Sequence, residues 1–136
     1  MSVNIKTTMK TDKKRILVVD DQASDTRLMK LYLERTNDYV VREENNARAA
    51  NAAAEEFQPH LILLDVMMPD MDGLSVIKSL RENSSTASIP IIFMTARMQS
   101  QDVLDYDQLG AIGFIAKPFD PMQLSATVKK IWEEKG

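Results

Sequence analysis

The sequence predicts an α/β protein in which one parallel sheet lies between two layers of helices. Five apolar runs of strand length alternate strictly with segments of helical pattern. Several of those runs are continuous rather than alternating, the mark of strands buried on both faces. No repeat or low-complexity linker divides the 136 residues, a length suited to one domain.

The elements follow in order. Residues 1–13 read as a polar lead-in, and 14–136 as the folded domain. "RILVVDD" carries the first strand, with Ile16 to Val19 as its apolar run. "SDTRLMKLYLERT" (24–36) is the first helix, with Ser24 placed as its N-cap and Leu28, Leu31 and Tyr32 at helical spacing. "DYVVREE" is a short second strand, and "ARAANAAAEEF" is a helix by propensity, with Ala47, Ala50, Ala54 and Phe57 on one face.

"HLILLD" (60–65) is the third strand, and "GLSVIKSLRE" the next helix, with Leu74, Ile77 and Leu80 inward. "IPIIFMTA" is the fourth strand, its Pro90 at the start, where a missing N–H is tolerable. Residues 100–109 read as a short acidic helix whose Asp102, Asp105 and Asp107 form a solvated face. "AIGFIAKP" is the fifth strand. "FDPMQLSATVKKIWEE" closes the chain, with Asp120 as N-cap, Pro121 as first helical residue and Leu124, Val128 and Ile131 inward. Five strands without a G-x-G-x-x-G after the first favour the flavodoxin-like order 2-1-3-4-5, a three-layer sandwich with five helices.

Composition narrows the chemistry. Apolar residues make up 44%, enough for a core. Lys plus Arg number 17 against 20 Asp plus Glu, a net charge of −3, with no basic run to track a nucleic acid. There is no cysteine, so disulfides, thiolate metal sites and cysteine nucleophiles are excluded. His60 is the one histidine; it is read as a surface residue without a partner. No apolar run approaches the roughly 18 residues of a membrane span. The first residues lack the apolar core of a secretory signal, so a cytoplasmic protein is expected.

In an open sheet of this order, ligands bind beyond the carboxyl ends of the strands, between the first and third. The polar strand-end residues are Asp20 and Asp21, Asp65, Thr95 with Ala96, and Lys117. Three carboxylates would repel one another: at about 5 Å and an effective dielectric near 20, each pair costs roughly 3 kcal/mol. Lys117 offsets only part of that. Hard oxygen donors without histidine or cysteine suit Mg²⁺ or Mn²⁺. A metal, a lysine and a hydroxyl around one carboxylate make a phosphoryl site, with Asp65 as the nucleophile. Asp70, Asp72 and Gly73 read as turn and cap chemistry.

"ILVVDD", "LILLDVMMPDMDG", "IIFMTA" and "GAIGFIAKPF" together resemble the receiver domain of bacterial two-component response regulators, of the single-domain chemotaxis type. The resemblance covers roughly residues 14–135 and implies the following roles. Asp65 is the phosphoacceptor. Asp21, Asp20 acting mainly through water, and the backbone carbonyl of Met67 hold Mg²⁺ with Asp65. Lys117 pairs with a phosphoryl oxygen, while Thr95 offers its hydroxyl and Ala96 its N–H. Phe114 stands at the switching aromatic, though a strand phenylalanine is equally a core residue. Met67 and Arg97 flank the attacking water and tune phosphoryl lifetime, and the Lys117–Pro118 bond is cis.

The partners implied are a sensor histidine kinase or histidine phosphotransfer protein, and a downstream protein. The chain ends just beyond its closing helix, so a stand-alone regulator is expected, catalysing only its own phosphorylation and dephosphorylation. That helix lacks an Arg-rich pattern, and a monomer is expected. Other functions on this fold fit less well. A magnesium-dependent phosphatase with an aspartyl nucleophile needs Asp-x-Asp and a cap insertion, but residues 20–22 read Asp-Asp-Gln. A degenerate receiver that only binds partners sits poorly with intact acids, threonine and lysine.

Overall fold

The computed structural model describes residues 13–68, 71–96 and 107–135. Its sheet strands are β1 (Lys14–Val19), β2 (Tyr39–Glu44), β3 (Leu61–Asp65), β4 (Ile91–Thr95) and β5 (Ala111–Ala116). All neighbours pair in parallel, in the order β2-β1-β3-β4-β5. The helices among the described residues are α1 (Ala23–Glu34), α2 (Ala50–Phe57), α3 (Gly73–Glu82) and α4 (Pro121–Lys135). The expected helix over 100–109 lies outside the described residues except for its last three positions.

The two-residue period of a strand divides the core into two layers. Leu17 and Val19, Ile62 and Leu64, and Ile91 and Phe93 pack with Ala50, Ala53 and Ala54 of α2 and Val76, Ile77 and Leu80 of α3. Their alternates Ile16 and Val18, Leu61 and Leu63, and Ile92 and Met94 pack with Met29 and Leu33 of α1 and Leu124 and Val128 of α4. Each central strand thus feeds both layers, which is why its sequence is apolar at consecutive positions. Among the described residues no helix is long and apolar enough to cross a membrane.

Several local expectations hold. Asp120 Oδ1 accepts the Met122 N–H at 3.0 Å, and α4 begins at Pro121. The Lys117–Pro118 peptide is cis. Pro90 precedes β4 and still contributes its carbonyl, which accepts from Ile62 N–H at 3.0 Å.

Others need correction. The N-cap of α1 is Gln22, and Ser24 lies inside the helix. Asp20 already turns the chain by accepting the Gln22 N–H at 2.9 Å, so the helix starts earlier than a serine cap predicts. The buried face of α1 is Thr26, Met29 and Leu33, whereas Leu31 is 54% exposed. The segment "RLMKLYL" carries two overlapping apolar stripes, and Thr26 selects between them. Its hydroxyl donates to Glu43 Oε1 at 2.9 Å and receives the Asn45 amide at 2.9 Å, so it can be buried at little cost. The segment before α2 is a 3₁₀ turn, Ala47–Ala49, with Asn46 accepting the Arg48 N–H. In α3, Val76 joins Ile77 and Leu80 in the core, while Leu74 is only half-buried.

Candidate functional site

The carboxyl edge of the sheet collects the polar strand ends. Asp20 follows β1 and is fully buried; Asp21 beside it is half-exposed. Asp65 ends β3 at 3% exposure, and Thr95 ends β4 at 4%. Lys117 follows β5, where its N–H donates to the Thr95 carbonyl at 2.9 Å and prolongs the strand pairing.

Lys117 Nζ lies 2.8 Å from Asp20 Oδ2 and 3.3 Å from Asp65 Oδ2. The other carboxylate oxygens are held by backbone. Asp20 Oδ1 accepts from Gln22 N–H, and Asp65 Oδ1 from Met67 N–H, both at 2.9 Å. The Asp20 carbonyl accepts the Asn45 amide at 2.8 Å, and Asn45 is fixed in turn by Thr26 and so by Glu43. The acids are therefore positioned rather than free to swing apart.

Electrostatics follow from that crowding. Burial pushes the Asp20 carboxyl up, and the Asp65 charge adds to the rise, against the Lys117 and Gln22 hydrogen bonds. Burial opposes the charge on Lys117, but its bond to Asp20 and the charges of Asp65 and Asp20 outweigh it, and its pKa is raised. The ammonium stays charged.

Oxygens of Asp20, Asp21 and Asp65 lie within 4.8 Å of one another. Three converging carboxylates with no histidine or cysteine among them suit a hard divalent cation that keeps part of its water shell. The donor set fits Mg²⁺.

The loop after Asp65 closes by a backbone approach. Gly73 N–H donates to the Val66 carbonyl at 3.3 Å, and a Cβ at Gly73 would stand 2.5 Å from Val66 Cα and Cβ. Gly73 is required there by space, a stronger reason than the turn chemistry expected for it. Met67 is 47% exposed beside Asp65. Ala96 is exposed next to the cleft that Lys117 lines. Arg97, Asp70, Asp102 and Asp105 lie outside the described residues.

Phe114 stands apart from the acids and is not plain core, being 44% exposed. It pairs in register with Phe93, with ring centroids 5.8 Å apart. Phe93 and Thr95 share a face of β4, so Phe114 sits two positions below Thr95 on the neighbouring strand. It also lines a cavity of about 280 Å³ with Phe93, Ala111 and Asp107.

Two residues differ from the sequence expectation. His60 has a partner: its Nδ1 accepts the Arg15 N–H at 2.9 Å, and its own N–H donates to the Arg15 carbonyl at 2.8 Å. It lies at the opposite end of the sheet from the acids. Asp25, which carries no strand-end signal, has its Oδ2 3.2 Å from Lys117 Nζ. The available signal was an extra acid in the first turn of a helix that starts directly above the strand ends.

A five-stranded parallel sheet in this order, with clustered acids and one lysine at its carboxyl edge, defines the receiver class of signalling domains. The chain belongs to the response regulator receiver domain family, whose model matches residues 16–129. It is 40% identical over 121 residues to the transcriptional regulatory protein ResD of Bacillus subtilis, covering 89% of this chain and 49% of that protein. It is 34% identical over 116 residues to the response regulator Rre1 of Synechocystis, covering 85% and 50%. The chain thus spans about half the length of the curated relatives it matches.

Among solved structures, the Vibrio cholerae chemotaxis protein CheY4 superposes with a TM-score of 0.80 at 28% identity, covering 88% of this chain and 98% of that one. A response regulator from Desulfuromonas acetoxidans gives 0.75 at 31%, covering 89% and 98%. Receiver domains typically bind Mg²⁺ through an acidic pocket and are phosphorylated by histidine kinases or phosphotransfer proteins.

Proposed function

We propose that this chain is a phosphoacceptor receiver, folded over residues 14–136 behind a lead-in of 1–13. Asp65 accepts a phosphoryl group from the phosphohistidine of a sensor kinase or phosphotransfer protein. One observation carries the reading: an ammonium delivered by β5 stands 3.3 Å from the carboxylate ending β3 and 2.8 Å from the one following β1. Structural ion pairs are common, but a lysine shared by buried acids at the edge where the strand order reverses is a site.

In the transfer, an Asp65 oxygen attacks phosphorus in line, and the bond to the donor nitrogen breaks. Lys117 turns its ammonium to the phosphoryl oxygens, which gather a second negative charge. The Thr95 hydroxyl and Ala96 N–H offer further donors at the end of β4. Asp20, Asp21, Asp65 and the Met67 carbonyl would hold Mg²⁺ (or Mn²⁺), which supplies charge neutralisation at the phosphoryl oxygens. Met67 and Arg97 flank the path of the hydrolytic water and set the lifetime.

The signal leaves by a change of surface. Thr95 moves toward the phosphoryl group, and Phe114 repacks against Phe93 into the cavity beside it. The output is a protein-binding surface, read by a downstream partner of a cytoplasmic, monomeric regulator. The chain's chemistry is confined to gaining and losing its own phosphoryl group.

The test is intact-mass spectrometry after incubation with a small phosphodonor and Mg²⁺. The parent gains one phosphoryl group and Asp65→Asn gains none. Equal uptake by both, or none by the parent, overturns the reading.

A further inference from the structure

Asp25 has a place in the site that its sequence position does not announce. Lys117 Nζ is shared among three carboxylates: Asp20 at 2.8 Å, Asp25 at 3.2 Å and Asp65 at 3.3 Å. An ammonium has three donors, so it can serve all three acids at once, with Asp25 and Asp65 at nearly equal distance. Asp20 and Asp21 belong with Asp65 to the cluster able to hold a cation; Asp25 does not. Among the described residues Lys117 is the one basic side chain with which Asp25 forms an ion pair.

Placement strengthens the point. Asp25 sits in the first turn of α1, where the helix N-terminus favours its negative charge. Its own N–H is bound to the Gln22 carbonyl at 3.0 Å, so the turn holds it in place. At 31% side-chain exposure it faces a cleft of about 510 Å³ shared with Leu28, Lys117, Pro118, Phe119 and Pro121. It therefore meets the ammonium from a more exposed position than Asp65, whose side chain is 4% exposed.

We propose, on the phosphoacceptor reading of Asp65, that Asp25 is a positioning residue that competes with the incoming phosphoryl group for the Lys117 ammonium. With phosphoramidate as donor, an Asp65 oxygen bonds to phosphorus as the P–N bond breaks. The nitrogen, already protonated, leaves as ammonia, so no proton donor is needed. The acceptor goes from one negative charge to two, and Lys117 must then serve phosphoryl oxygens. Asp25, fixed to α1, cannot follow it and must give it up. The unphosphorylated state is thereby favoured, and uptake is slowed.

The test is the rate of uptake from phosphoramidate at saturating Mg²⁺, followed by intact mass, for the parent, Asp25→Asn and Asp25→Glu. Asp25→Asn is expected to react roughly 3- to 5-fold faster, the upper end of the scale on which a partly exposed ion pair biases an equilibrium. Asp25→Glu, which keeps the charge, stays within about 2-fold of the parent. The gain persists at about 0.5 M salt, because a contact pair is screened far less than distant repulsion of an anionic donor.

An Asp25→Asn protein no faster than the parent, a gain that vanishes in salt, or a Glu variant as fast as Asn overturns the competition alone. Failure of the parent to take up phosphate at all overturns the phosphoacceptor reading, and the competition with it.

Discussion

Lys117 and Asp65 are 52 residues apart in the chain and 3.3 Å apart in the fold, joined because β5 and β3 end at the same edge of one sheet. The Lys117 side chain is 17% exposed and also faces the fully buried Asp20. Removing the ammonium leaves buried carboxylates without a cationic partner, a large loss compared with that of a surface pair. Lys117→Met should lower the unfolding free energy by about 2–4 kcal/mol in urea titrations. Lys117→Arg, which keeps the charge, should retain most of the stability. Added Mg²⁺ should recover part of the Lys117→Met loss, since the same acids can be neutralised by either cation.

The metal response gives a second prediction, with opposite signs in two conditions. Without Mg²⁺, Asp21→Asn relieves like-charge crowding at a half-exposed position and should stabilise by up to about 1 kcal/mol, discounted for solvent screening. With Mg²⁺ the order reverses. The parent gains RT ln(1 + [L]/Kd), about 2.7 kcal/mol at 100 times Kd, and the variant gains much less. Thermal unfolding with and without EDTA reads both arms. Equal metal gains in the two proteins would remove Asp21 from the site.

What the sequence exposed was whatever depends on strand ends. Asp65 and Lys117 were legible because an apolar run that stops at a charged residue marks its own terminus, and parallel strands put all such termini on one edge. Contacts that depend on how a helix sits were not. "RLMKLYL" supports two apolar faces, and the choice of Met29 and Leu33 rests on Thr26 meeting Glu43 of β2. Asp25 reaches Lys117 only because α1 begins at Ala23, directly after the Asp20 turn. Likewise the Arg15–His60 bonds come from the β1–β3 register, Ile16 opposite Leu61, which no local pattern encodes.

That register makes stability sensitive to pH. His60 Nδ1 must be unprotonated to accept the Arg15 N–H, and burial, with Arg15 and Lys14 nearby, holds its pKa below the ordinary 6.5. The unfolded chain therefore binds this proton more readily than the folded one. The contribution is complete above about pH 6.5, falls as pH drops below it, and levels off once pH passes the lowered folded value. Within that window the slope stays below about 1.4 kcal/mol per pH unit, the limit for one proton. His60→Asn, whose Oδ1 can accept the same N–H without titrating, should flatten this part of the profile. Urea midpoints across the window for both proteins check it; parallel curves would mean that His60 does not titrate against folding.

Phosphoryl lifetime is where the Met67 side chain bears on function. Its N–H fixes Asp65 Oδ1 at 2.9 Å, while the side chain stands 47% exposed at the mouth of the site. A thioether is too weak an acceptor to align an attacking water, whereas an amide both donates and accepts. Met67→Asn keeps the backbone bond to Asp65 and adds such a group. Loss of phosphate from the purified phosphoprotein should then accelerate by about 5-fold, the rate equivalent of one hydrogen bond worth about 1 kcal/mol in the transition state. Met67→Leu, similar in volume and equally unable to bind water, should decay at the parent's rate. If Leu accelerated decay as much as Asn, the side chain would be acting by shielding the site rather than by failing to hold water, and the lifetime would be set by access alone.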